Sequence, residues 1–135
     1  MKNQLKYAIL NEEKSREVFR LKKKLSNNIN PIVNDFLNKV KELLQDRLKK
    51  VILYGSYARG DYDNSSDIDI MLLTDFSDAE IEEYRDRISD IAFEIELNTG
   101  YIISPVIRNL EVFNIRTRYI PFYHNVEEEG VVLIG

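Results

Sequence analysis

The chain has 135 residues, 44% of them hydrophobic, no cysteine and a formal charge of -4. Its length suits one compact domain, which can bury roughly 68% of its unfolded surface without disulfides or a structural metal. The lack of cysteine excludes disulfide scaffolds, thiolate zinc sites, iron–sulfur clusters and cysteine nucleophiles, and the single His124 excludes any site needing two imidazoles. Metal chemistry, if present, must use oxygen ligands. No apolar run approaches the ~18 residues of a membrane span, and residues 1–10 lack the apolar core of a signal peptide. A cytoplasmic location without a membrane partner is expected.

Charge is distributed unevenly. Residues 1–50 hold 13 Lys/Arg against 6 Asp/Glu, whereas residues 51–135 hold 6 against 17. The basic part suits nucleic acid or an acidic protein surface, and the acidic part repels phosphates unless a cation sits there. Residues 2–25 read as a polar helix with a thin apolar stripe at Leu5, Ala8, Ile9, Val18, Phe19, Leu21 and Leu25. A helix with so little apolar surface leans on the domain or on a second copy, which leaves a homo-oligomer open. Lys22, Lys23 and Lys24 read as its solvated face. Residues 1–29 are thus expected to form a helical extension, and residues 30–135 the domain proper.

Asn30-Pro31 has the form of an N-cap followed by proline at the first helical position. The apolar spacing of Ile32, Val33, Phe36, Leu37, Val40, Leu43, Leu44 and Leu48 predicts a helix with a broad buried face. Val51-Ile52-Leu53-Tyr54 reads as a buried strand stopped by Gly55. Residues 67–73 read as a second strand. Its period of two sends Ile68, Ile70 and Leu72 to one side and Asp67, Asp69, Met71 and Leu73 to the other. Ser77 or Asp78 caps a third helix that runs to Thr99-Gly100. Residues 101–107 form a strand whose Pro105 demands an edge or a bulge. A helix over 110–129, broken at Pro121, and a last strand over 131–134 complete an α/β (α+β) order.

The chemistry concentrates in Gly55-Ser56-Tyr57-Ala58-Arg59-Gly60 and Asp67-Ile68-Asp69. Gly55 lets the backbone turn tightly and approach a ligand, and amides after it, with Ser56 Oγ, can receive phosphate oxygens. Alone, a glycine-serine turn is weak evidence. Two carboxylates on one strand face, with Cα atoms ~6.5 Å apart, repel unless they share a cation. Without thiols or paired imidazoles, that ion is Mg²⁺ by default, with Mn²⁺ as substitute. Each half of the pattern gives the other a purpose. Arg59 is a phosphate contact or a surface residue tied to Asp61 or Asp63. Tyr57 is a core or rim residue that could stack on a base, His124 a surface or packing histidine, and Glu127-Glu128-Glu129 a solvated helix end.

Gly55-Ser56, ten residues, then Asp67-x-Asp69 resembles the signature of the DNA polymerase β-type nucleotidyltransferase superfamily, and Gly-Ser-Tyr-Ala-Arg-Gly-Asp is similar to the form in its minimal, MNT-type members. The resemblance implies a nucleotidyltransferase fold, a small mixed sheet packed with helices. It further implies that Gly55 and Ser56 hold the phosphates of a nucleoside triphosphate, with ATP expected, while Asp67 and Asp69 bind Mg²⁺. The implied reaction is attack of an acceptor hydroxyl on the α-phosphorus with loss of pyrophosphate. MNT-type members commonly act beside a helical HEPN toxin as the antitoxin of the pair, so the expected acceptor is a partner protein. One departure matters. The family generally adds a third carboxylate from a neighbouring strand, and residues 101–107 contain no acid, with Ser104 where one is sought. Glu94 and Glu96 could substitute only if residues 92–97 were a strand, against the helical spacing of Ile81, Tyr84, Ile88, Ile91 and Ile95. The competing expectation is a catalytically impaired antitoxin that binds nucleotide or only its partner.

Overall fold

The structure is a computed structural model that describes residues 29–135. The expected helix over 2–25, with its three consecutive lysines, lies outside the described residues. Helix α1 (Asn30–Leu44) buries Val33, Phe36, Leu37, Val40 and Leu44. Asn30 is not the cap, contrary to expectation. It is already helical, the cap position falls to Ile29, and no side chain caps the end. Ile29 is fully buried, so packing rather than a polar cap fixes the entry of the chain. Proline in the first turn costs nothing there, because the amide it lacks would have no intrahelical partner.

At Gln45 the backbone takes φ 51°, which ends α1. A 3₁₀ turn, Gln45–Arg47, leads into β1 (Leu48–Tyr54). Leu48 therefore belongs to the strand, not to the helix, and pairs with Thr74. Its apolar side chain fits both periodicities, and the left-handed residue decides between them. The four-residue helix α2 (Ser56–Arg59) follows, then β2 (Ile68–Thr74), which starts one residue after Asp67. Helix α3 (Asp78–Thr99) opens with a complete capping box: Ser77 Oγ accepts from the Glu80 amide, and the Glu80 carboxylate accepts from the Ser77 amide. The Arg47 guanidinium also donates to Glu80 and to Asp75 and lies over the Phe76 ring, joining the start of α3 to the start of β1. Gly100, at φ 82°, closes α3 as expected.

Strand β3 (Ile103–Asn109), helices α4 (Leu110–Arg116) and α5 (Pro121–Glu129), and β4 (Val131–Ile134) complete the described chain. The sheet order is β3-β2-β1-β4. β1 runs antiparallel to both β2 and β4, and β2 runs parallel to β3, so the sheet is mixed. Pro105 lies on the edge strand, where its missing amide breaks no ladder.

Both sheet faces are covered. Ile68, Ile70 and Leu72 pack with α1 and α3 in the larger core, while Met71 and Leu73 pack with Ile52, Phe113, Tyr123 and Val126 under α4 and α5. Burying each such side chain contributes about 1.5–3 kcal/mol. β2 is thus clamped on both sides, and the site at its start inherits that rigidity. No helix among the described residues is long and apolar enough to cross a membrane.

Candidate functional site

The alternation of β2 puts Asp69 on the same face as Met71 and Leu73, at the end of the sheet where β1 stops and β2 and β3 begin. Asp69 stands opposite Tyr54 on one side and Ser104 on the other. Asp67 lies just outside the strand rather than within it, and is exposed, whereas Asp69 is half-buried. Ser104 Oγ donates to Asp67 Oδ2 at 3.2 Å, so this hydroxyl is next to both acids. That is where a third carboxylate was sought. Among the described residues, no three His, Cys, Asp or Glu side chains come together as a metal-binding group. Glu94 and Glu96 sit on α3 and do not fill the position.

The turn between β1 and α2 meets Asp69 directly. Gly55 has φ 78°, and a Cβ built on it would stand 2.3 Å from Asp69 Oδ2. Glycine is required there twice, for the backbone angle and for the space. Its carbonyl accepts from the amides of Ala58 and Arg59, which winds α2. The preceding amides of that first turn, from Ser56 and Tyr57, have no intrahelical partner. The structure thus brings the glycine-serine turn and Asp69 into contact, with Asp67 one alternation away.

Electrostatics at the pair are unfavourable without a counterion. Burial pushes the Asp69 carboxyl above its ordinary range, the charge of Asp67 pushes it further, and Arg59 pulls in the opposite direction. Arg59 is close enough to influence Asp69 but is occupied by Asp61 at 3.3 Å and Glu129 at 3.5 Å. These are long, exposed ion pairs of the kind worth little. The donor set, two carboxylates close enough for Asp67 to raise Asp69, suits a hard divalent ion that keeps other positions for water or phosphate. Mg²⁺ suits it, and Mn²⁺ would substitute.

Other residues separate from the pair. Tyr57 is buried and stacks on Tyr62, with ring centroids 4.3 Å apart, which corrects the expectation of a ring available to stack on a base. A cleft of about 390 Å³ beside this aromatic pair is lined by Ser65, Ser66, Thr99 and Tyr101 among others. His124 is exposed on α5. Of the three terminal glutamates of α5, Glu129 has a partner in Arg59.

Tyr54 was not singled out by the sequence for this site. Burial first, and then the charge of Asp69, push its hydroxyl up to about 12. Its ring meets Phe122 edge-on at 5.8 Å. Strand alternation alone could not reveal this neighbour, because Tyr54 reaches Asp69 only through the β1–β2 register.

Comparison with known proteins bears on the family of the chain. The family model described as a nucleotidyltransferase domain matches residues 33–131. Two chains of Methanocaldococcus jannaschii that carry the name Putative protein adenylyltransferase are similar. MJ0604 is 38% identical over 101 residues, covering 75% of this chain and 93% of its own. MJ0141 is 35% identical over 100 residues, covering 74% and 93%. A chain in the crystal structure of a mutant toxin-antitoxin MntA-HpeT overlaps with TM-score 0.43 at 21% identity, covering 73% of this chain and 72% of that one.

Proposed function

Because the chain belongs to the nucleotidyltransferase domain family, we propose that it transfers a nucleoside monophosphate, AMP from ATP, to a hydroxyl group of a partner protein. The observation that carries this reading is the contact between Asp69 and the Gly55 turn, with Asp67 hydrogen-bonded to Ser104, the register partner of Asp69. The choice of AMP and of a protein acceptor draws on the names of the two archaeal relatives. A HEPN-type toxin is the first partner to test, given the MNT-like motif.

In this reading the amides after Gly55 and Ser56 Oγ receive the triphosphate. Arg59 exchanges its weak ion pairs for a phosphate oxygen. Asp67 and Asp69 would hold Mg²⁺, which when bound supplies neutralisation of the phosphates and Lewis-acid assistance. The acceptor hydroxyl forms a bond to the α-phosphorus as the bond to pyrophosphate breaks, and the hydroxyl proton passes to solvent or to Asp67 Oδ1, the oxygen that Ser104 leaves free. Clamping β2 between two cores holds the backbone that carries Asp69 in place before reaction.

Ser104 supports a second reading. With a hydroxyl where a carboxylate would complete the set, the domain binds nucleotide or partner without turnover. Incubation with α-labelled ATP, Mg²⁺ and a co-expressed partner separates the two. Label on the partner that disappears in Asp67→Asn and Asp69→Asn supports transfer. Nucleotide binding without label transfer supports the binder.

A further inference from the structure

The acidic part of the chain contains one positive island. Residues 108–125 hold Arg108, Arg116 and Arg118 against Glu111 alone. Among the described residues none of these three arginines forms an ion pair. Arg108 Nε donates to the Tyr123 hydroxyl at 3.0 Å and its Nη1 to the Ile107 carbonyl at 2.8 Å, while Arg116 lies over the Tyr123 ring at 5.8 Å. Burial raises the Tyr123 hydroxyl, but hydrogen bonds from Arg108 and Arg116 outweigh it and the net direction is down. Two guanidinium groups converging on one phenol leave a surplus of positive charge.

The same stretch exposes apolar surface. Val112, Ile115 and Tyr119 recur at spacings of three and four with Arg116 among them, and Ile120 and Phe122 continue the surface into α5. Ile115 is 55% exposed, Tyr119 75% and Phe122 46%. On α4 the inward position is Phe113, so this stripe faces away from the core the helix covers. It is also connected to the site. Tyr54, opposite Asp69, meets Phe122 at 5.8 Å; Phe122 meets Tyr123 at 5.1 Å; and Tyr123 meets Arg116 at 5.8 Å. An apolar patch threaded with arginines that have no ion pair among the described residues selects an occupant that is apolar on one side and anionic at its edges.

We infer that the outer face of α4 and the turn into α5 form a docking surface for an acidic amphipathic segment of the acceptor protein, which seats that protein beside Asp67 and Asp69. The inference rests on the reading of the acceptor as a protein. The full-length chain is titrated with two fluorescent helical peptides of about 18 residues, both with leucine at helical spacing, one with glutamate and one with lysine elsewhere. The acidic peptide binds and the basic one does not. Ile115→Asp weakens the acidic peptide at least about tenfold, and the double variant Arg116→Glu with Arg118→Glu reverses the preference. These side chains are exposed, and unchanged melting confirms that each variant folds.

Absence of binding, equal binding of both peptides, or binding indifferent to these substitutions overturns the proposal. So does self-association by sedimentation that Ile115→Asp abolishes, which would make the occupant a second copy. Asp67→Asn separates this inference from the catalytic reading, since it retains peptide binding. Selective peptide binding without label transfer by the unmodified chain faults the catalytic reading alone. Transfer that proceeds undiminished in Ile115→Asp faults the docking surface alone.

Discussion

Replacing Asp69 by asparagine removes one of two like charges and so measures what the pair costs without its counterion. With the charges set as far apart as Cα atoms two residues apart in an extended chain, about 6.5 Å, the repulsion is about 0.6 kcal/mol in bulk water and about 2.6 kcal/mol at an effective dielectric constant of 20. Asp67 is exposed and Asp69 half-buried, which places the energy near the lower end, about 1 kcal/mol. For a domain of this size that raises the melting temperature by about 3.5 °C. The experiment is a thermal melt at neutral pH in chelator, then in Mg²⁺. In chelator, Asp69→Asn melts above the unmodified chain. At about ten times its dissociation constant, Mg²⁺ stabilises the unmodified chain by about 1.4 kcal/mol and the variant little. Acidification supplies a second arm. The Asp69 carboxyl is raised by burial and by Asp67, so the native state holds its proton more tightly than the unfolded chain. The advantage of the variant is therefore complete above the raised pKa and vanishes as pH falls through it to the ordinary carboxylate value. A variant that melts several degrees lower in chelator, or that gains as much from Mg²⁺, refutes a shared cation at this pair.

Three further substitutions test the surrounding parts. Gly55→Ala places a methyl group against Asp69 Oδ2 on a backbone at positive φ, so it costs about 1–3 kcal/mol in stability and abolishes binding of a fluorescent ATP analogue. Ser104→Asp completes a three-carboxylate set; it lowers stability in chelator by about 1 kcal/mol and tightens Mg²⁺ at least about tenfold by calorimetry, and unchanged affinity would show that this position does not face the ion. Ser77→Ala removes the capping box of α3 and costs about 1 kcal/mol in chemical denaturation, with ATP binding unaffected because the cap lies at the far end of β2.

Much of the fold follows from local periodicity. The α3 cap, its glycine stop, the break at Pro121 and the last strand all have short-range causes, and each is found where its residues predict it. The errors occur where two elements compete for one residue. Leu48 satisfies a helical stripe and a strand equally, and only the backbone reversal at Gln45 assigns it to β1. Asn30 has the chemistry of a cap but loses the position because the burial of Ile29 sets the helix start one residue earlier. The polar alternative is overridden by a core contact that no window of sequence contains.

The site shows the same division between local and long-range causes. Asp67 and Asp69 could be read as neighbours because two residues of separation is a property of the chain alone, although Asp67 falls just outside the strand whose alternation was expected to hold both. Tyr54 and Ser104 become neighbours of that pair only through register, one across an antiparallel ladder and the other across a parallel one. Ser104 could be named in advance by resemblance, but its meaning depends on the hydrogen bond to Asp67. A serine pointing elsewhere would be an empty position. A serine that donates to Asp67 fixes that carboxylate while adding no charge of its own. It therefore partly satisfies the acid in the absence of metal, whereas a third carboxylate would have deepened the repulsion. The residue that weakens the case for turnover is thus one that helps the empty site tolerate its own charge. Metal affinity and metal-free stability should consequently move in opposite directions when Ser104 becomes aspartate.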